Sequence, residues 1–220
     1  MTAEVKGKLI AINMDSPSVQ YLSKKDSRLK KLISEIGDIT YTLHDEDSFV
    51  FLVHEIIEQM LSVKAGQAIF NRLVELCDGE ITPEAISDLS DEKIKSIGTA
   101  NSKVRCIRFL TNAVRSGEID FKRMASMSDD QIMKELMSIK GIGKWTAKMY
   151  LIFALGRQDV LPYEDVAFLQ AFTWLYGIKD RSPEVVIKKC KKWSPYSSIA
   201  SRYLYRALDT GLTKRDFQSL

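Results

Sequence analysis

The sequence predicts an all-α protein, on three observations. Apolar residues recur at helical spacing along nearly the whole chain, the pattern of helices that each bury one face. Helix-opening signals are frequent: Ser16-Pro17, Thr82-Pro83, Ser90 and Ser182-Pro183 each set a hydroxyl at a helix start, three of them followed by a proline suited to the first turn. Residues 136–147, LMSIKGIGKWTA, read as two short helices joined by a glycine hairpin.

Taken in order, Lys8–Ile12 is the one strand-like hint. The periodicity then predicts helices over 49–60 and 63–77, separated near Ser62, and over 103–116, ending before Gly117. Ser128 with Gln131 three residues on is a capping-box pattern that starts the first hairpin helix, which runs to about Ser138. The second hairpin helix starts near Lys144 and closes at Gly156; about 12 residues at 1.5 Å each give it roughly 18 Å. Residues 157–165 form a connector, because Pro162 interrupts any helix and biases Leu161 away from helical backbone. Asp165 opens the next helix, Val166–Tyr176. No internal repeat, low-complexity tract or flexible linker stands out, so closely packed lobes are expected.

A chain of 220 residues suits one domain or two small lobes, and 45% hydrophobic composition is ample for a core. The apolar stretches 49–53 and 149–155 are too short or interrupted to span a bilayer, and the N-terminus has no signal-peptide core. A soluble, intracellular protein without a membrane partner is expected. Net charge is only +3 from 32 basic and 29 acidic residues, so any basic face is local. Lys24, Lys25, Arg28, Lys30 and Lys31 form one candidate and Lys188, Lys189, Lys191 and Lys192 another, though such runs are ordinarily solvated helix faces. Cys77, Cys106 and Cys190 are odd in number and dispersed, which predicts reduced, buried thiols and no metal cluster. His44 and His54 lack partners at ligand spacing, so no zinc site is expected.

The hairpin carries the first chemical signal. Gly141 and Gly143 flank Ile142, an arrangement expected to allow positive-φ turns and close approach to a partner. Turn amides and the start of the following helix make an anion cradle for which a phosphate is the natural guest. The bland alternative is a plain helix–helix turn. The longer pattern is more demanding, since Leu136 and Ile139 pack at i,i+3, Ile142 plugs the pair, and Thr146-Ala147 permit close helix contact. Asp165 has two readings as well: a helix cap, or a carboxylate facing a sugar C1′ as positive charge develops there. Glu164 is read as a surface residue, because adjacent side chains at a helix start diverge.

These residues resemble the helix-hairpin-helix-GPD DNA glycosylases, in the branch of 3-methyladenine DNA glycosylase II. The resemblance covers nearly the whole chain and rests on five motifs in order: IEQMLSVKA at 57–65, ITPE at 81–84, IKGIGKWTA at 139–147, LGRQDVLPYED at 155–165 and WSPYSS at 193–198. It implies a two-lobed fold with the active site in the cleft between lobes. One helical lobe is expected over 45–155, including the helix-hairpin-helix at 132–155, and a second from 1–44 with 156–220. The implied activity is base excision repair: alkylated purines are flipped out of double-stranded DNA and the N-glycosidic bond is hydrolysed, with Asp165 as the catalytic residue.

The resemblance also implies roles for other positions. The hairpin residues Lys140, Gly141, Ile142, Gly143, Lys144 and Thr146 would grip DNA, with Gln59 and Ser62 contributing. Met60 stands where a side chain wedges into the duplex, although relatives often have glycine at the place of Glu58 and glutamine or leucine at that of Met60. Trp145 and Tyr205 would line the base pocket, since a cationic methylpurine over an aromatic face gains roughly 0.5–2 kcal/mol; core packing is the alternative for both. Backbone carbonyls of Met137, Ile139 and Ile142 would hold Na+ or K+. Trp145 occupies the place of the lysine with which lyase members form a Schiff base, so no lyase activity is expected, and the iron-sulfur loop of the endonuclease III branch is absent. A monomer needing no cofactor is implied. The competing expectations are a glycosylase for oxidised or deaminated bases and a noncatalytic DNA-binding module.

Overall fold

Among the residues described, 7–44 and 47–220, a computed structural model holds thirteen α-helices and two short strands. In chain order these are β1 (Lys8–Ile12), α1 (Pro17–Lys25), α2 (Ser27–Ile36), β2 (Ile39–Leu43), α3 (Ser48–Glu58), α4 (Val63–Leu76), α5 (Pro83–Asp88), α6 (Asp91–Ser96), α7 (Asn101–Arg115), α8 (Phe121–Met124), α9 (Asp129–Ser138), α10 (Lys144–Met149), α11 (Val166–Tyr176), α12 (Pro183–Cys190) and α13 (Ser197–Asp209). The all-α expectation therefore gains one small sheet, β1 paired with β2. No helix among the described residues is long and apolar enough to cross a membrane. The chain forms two units, one made chiefly of His44–Leu155 and the other of Leu9–Leu43 with Gly156–Leu220.

In the first unit α3 supplies the spine. Phe49, Phe51, Leu52, Val53, Ile56 and Ile57 are all buried, and α4, α7 and α10 pack against it. Helix starts follow the predicted chemistry: Ser62, Thr82 and Ser90 accept from Ala65, Ala85 and Lys93 amides, and Ser128 with Gln131 forms the complete capping box of α9. The second hairpin helix departs from the uniform α-helix expected: after Met149 it widens into a π-helical turn, Tyr150–Ala154, closed by Leu155 N–H donating to Tyr150 O at 3.0 Å.

In the second unit α11 packs on α13, and α13 on α2, around buried Phe168, Phe172, Trp193 and Tyr203. Asp26 organises this core. Its Oδ1 accepts from the amides of Arg28 and Leu29 at 3.1 and 3.2 Å, capping α2, while Oδ2 accepts from Trp193 Nε1 at 3.0 Å, from Lys192 Nζ at 2.9 Å and from the Tyr176 hydroxyl. Burial pulls the Asp26 carboxyl upward, but the bonds from Tyr176, Lys192 and Trp193 hold it below its usual value. Ser16 and Ser182 precede their prolines without making a side-chain cap. The three cysteines are free and buried, and burial raises every thiol.

Candidate functional site

The hairpin between α9 and α10 takes its shape from two constraints on Gly141. Its φ is +103°, and a Cβ there would lie 2.6 Å from Cys106 Sγ on α7. Both the turn and the close approach of α7 therefore require glycine. Gly143 differs from expectation: its φ of −102° and ψ of −177° are extended backbone, and a Cβ there would meet nothing. Leu136, Ile139 and Ile142 are buried, so the apolar plug forms as the spacing predicts.

Lys140, Gly141, Gly143 and Lys144 are exposed at the tip, whereas Ile142 and Thr146 are buried. Thr146, expected among the DNA contacts, instead uses its hydroxyl inside the unit, accepting from Gln59 Nε2 at 3.0 Å. The same Gln59 amide reaches Gly141 O at 3.3 Å. Gln59, also expected at DNA, thus turns its amide inward to tie the α3–α4 turn to the hairpin. Lys103 Nζ completes the bracing by donating to Ile57 O and Gln59 O, each at 2.7 Å. Sequence spacing gives no sign of Lys103 or Cys106, because both meet the site from a different helix.

The α3–α4 turn projects apolar side chains outward. Met60 is 100% exposed and sits at φ +60°, a backbone region that non-glycine residues seldom occupy. Leu61 and Val63 beside it are exposed too, and Ser62 is committed to capping α4. Trp145 is half-buried on α10.

In the second unit the connector 157–165 is pinned to the start of α13. Asp159 accepts from Ser197 N at 3.2 Å and from the hydroxyls of Ser194 and Ser197, Ser198 N donates to Gln158 O at 2.9 Å, and Ser198 Oγ accepts from Val160 N at 2.9 Å. This sets Asp165, half-buried, at the start of α11, where its Oδ1 accepts from Phe168 N at 2.6 Å. Glu164, expected at the surface, is half-buried, and Tyr163 donates to it. Tyr205 is half-buried on α13. One turn before it lies Arg202, unanticipated from sequence, whose guanidinium stacks over Tyr41 with Cζ 3.4 Å from the ring centroid. Burial lowers Arg202 to about 10, opposed by Tyr41 and Tyr205.

A glycine hairpin with an exposed backbone tip thus lies in one unit, and a carboxylate at a helix start after a fixed connector in the other. The chain belongs to the HhH-GPD superfamily of base excision DNA repair proteins, which it matches over residues 53–195. It is 29% identical to DNA-3-methyladenine glycosylase 1 of Schizosaccharomyces pombe over 212 residues, 94% of this chain and 93% of that protein. A crystal structure of DNA-3-methyladenine glycosidase from Bacillus halodurans is similar with a TM-score of 0.83 and 35% identity, covering 94% of this chain and 96% of that one. The S. pombe 3-methyladenine DNA glycosylase Mag1 in complex with abasic DNA is similar with a TM-score of 0.82 and 27% identity, covering 88% and 97%.

Proposed function

We propose that this chain is a monofunctional DNA glycosylase that flips alkylated purines of the 3-methyladenine and 7-methylguanine type out of duplex DNA and hydrolyses the N-glycosidic bond. The observation that carries the reading is Asp165, a carboxylate fixed at the start of α11 by its bond to Phe168 N, in a chain whose relatives bear the glycosylase names above. Bond breaking sends the electron pair to the purine, which alkylation of a ring nitrogen already makes a good leaving group. Positive charge builds on the sugar, and the ionised Asp165 stabilises it and orients the water whose oxygen bonds C1′, the water's proton passing to the carboxylate and on to solvent. A general acid is then dispensable.

The hairpin binds the DNA backbone through the exposed Lys140, Gly141, Gly143 and Lys144 and the Ile142 amide. Gln59 and Thr146 hold that hairpin in shape, Ser62 fixes the turn that presents Met60, and Met60 fills the space the flipped base vacates. Flipping costs a few kcal/mol, least for poorly paired bases; Trp145 in one unit and Tyr205 in the other are each an aromatic face on which an extruded base can stack. Trp145 provides no amine for a Schiff base, and Lys144 and Lys148 lie on either side of it along the helix, which supports hydrolysis without strand cleavage. The chemistry needs no redox cofactor. Carbonyl oxygens of Met137, Ile139 and Ile142 suit a monovalent cation, and Ile139 O keeps a lone pair after accepting from Ile142 N at 3.0 Å.

Duplexes carrying N-methylated, oxidised or deaminated bases, incubated separately, test the lesion class by chromatography of released bases. Release confined to methylpurines is expected. Release confined to another lesion would move the specificity, and salt-sensitive binding without any release would make the chain a DNA-binding module.

A further inference from the structure

Between α3 and α4 lies a polar pair that neither the fold nor the chemistry above uses. His54 and Glu58 stand one turn apart on α3 with Nε2 and Oε1 3.6 Å from each other. Both atoms are shut off from solvent and neither has a hydrogen-bond partner. Leaving such a group unmet is costly.

The surroundings hold this pair in place. Gln67 hydrogen-bonds the His54 ring, and Gln67 Nε2 donates to Asn71 Oδ1 at 2.9 Å. His54 Nε2, without a hydrogen-bond partner, faces Glu58 Oε1, and a histidine anchored by a neighbouring side chain is the arrangement found behind metal-bound histidines. Phe70 packs edge-on against the His54 ring, centroids 4.5 Å apart. A Cβ on Gly66 would lie 2.6 Å from Glu58 Cγ, so α4 carries no side chain where Glu58 packs. Glu55 adds a second carboxylate: one donor atom from each of His54, Glu55 and Glu58 lies within 4.8 Å of the others.

We propose that His54, Glu58 and Glu55, all on α3, hold a divalent transition-metal ion of the zinc class. With metal–ligand lengths of roughly 2.0–2.2 Å, an ion bridging atoms separated by 3.6 Å subtends about 120°, close to tetrahedral. One imidazole and two carboxylates favour zinc, cobalt or nickel over calcium and magnesium. Looking only for a second histidine or a cysteine hides this site, since the missing partner of His54 is a carboxylate one turn along the same helix. The proposal is independent of base excision.

Metal-stripped, tag-free protein titrated with zinc ions tests it. The chain has only two histidines, so the ring nitrogens of His54 are assignable by NMR through the contact with Phe70. One equivalent of zinc should shift His54 Nε2, leave His44 unchanged and raise the melting temperature. Cobalt should give the visible absorption of a tetrahedral ion, lost in both His54→Gln and Glu58→Gln. An unshifted His54 ring at stoichiometric zinc would overturn the proposal even if the variants misfold, and so would metal binding that both substitutions leave intact.

Discussion

Gln59 and Thr146 are 87 residues apart in sequence and meet through a 3.0 Å hydrogen bond from the Gln59 amide to the Thr146 hydroxyl. The bond couples the turn that presents Met60 to the hairpin proposed to grip the DNA backbone. Gln59→Ala should lower stability by about 1 kcal/mol and weaken DNA binding as well, because the hairpin loses its brace. Thermal melts and fluorescence-anisotropy titrations measure the two effects; weakened melting with unchanged affinity would uncouple the turn from the hairpin.

Gly141→Ala forces a side chain into a φ of +103° and against Cys106. The combined strain and overpacking should cost about 3 kcal/mol. Cys106→Gly in the same chain should recover the overpacking part while leaving the backbone strain. Gly143→Ala, with extended backbone and open space, should fold normally. A double-mutant cycle in urea checks all three.

Met60 contributes no burial, so Met60→Ala should change stability by less than about 0.5 kcal/mol. Met60→Gly should stabilise by up to about 1 kcal/mol, because its φ of +60° no longer opposes a Cβ. Both should slow base release from duplex DNA more than from single-stranded DNA, which has no stacked gap to fill. Equal slowing on both substrates would remove the wedge role.

Asp26 governs acid stability. Its carboxyl is held below the usual 3.8 in the folded protein, so its contribution is fully present above that value and is lost as pH falls through the lower folded value. Asp26→Asn should flatten the stability–pH curve below about pH 4 and cost on the order of 2 kcal/mol at neutral pH. Urea melts at stepped pH check the slope.

On the proposed monofunctional reading, in which Trp145 takes the place of the Schiff-base lysine of lyase members, treatment with borohydride during turnover should leave no covalent protein–DNA adduct. Denaturing gels of labelled duplex check both the adduct and strand cleavage.

The helices and the hairpin were legible because their signals are local: caps at Ser62, Thr82, Ser90 and Ser128 and the apolar plug of Leu136, Ile139 and Ile142. Asp165 was placed as a helix cap for the same reason. Distant contacts were not legible. β2 is five residues whose partner lies before α1, and nothing in its own pattern names that partner. Thr146 reads as a DNA contact because the Gln59 amide that occupies it comes from the distant α3–α4 turn. Gly143 read as a positive-φ residue because sequence does not separate a glycine needed for its backbone from one beside it. Glu164 and Arg202 were missed because their burial comes from tertiary packing.

The most direct test of Asp165 is the single-turnover release of 3-methyladenine or 7-methylguanine from methylated duplex DNA, comparing wild type with Asp165→Asn at matched DNA binding. Asparagine retains an oxygen for the Phe168 amide, so folding and affinity should persist while the rate falls by on the order of 10² or more, as for loss of a transition-state electrostatic contact. An unchanged rate in Asp165→Asn would contradict the account.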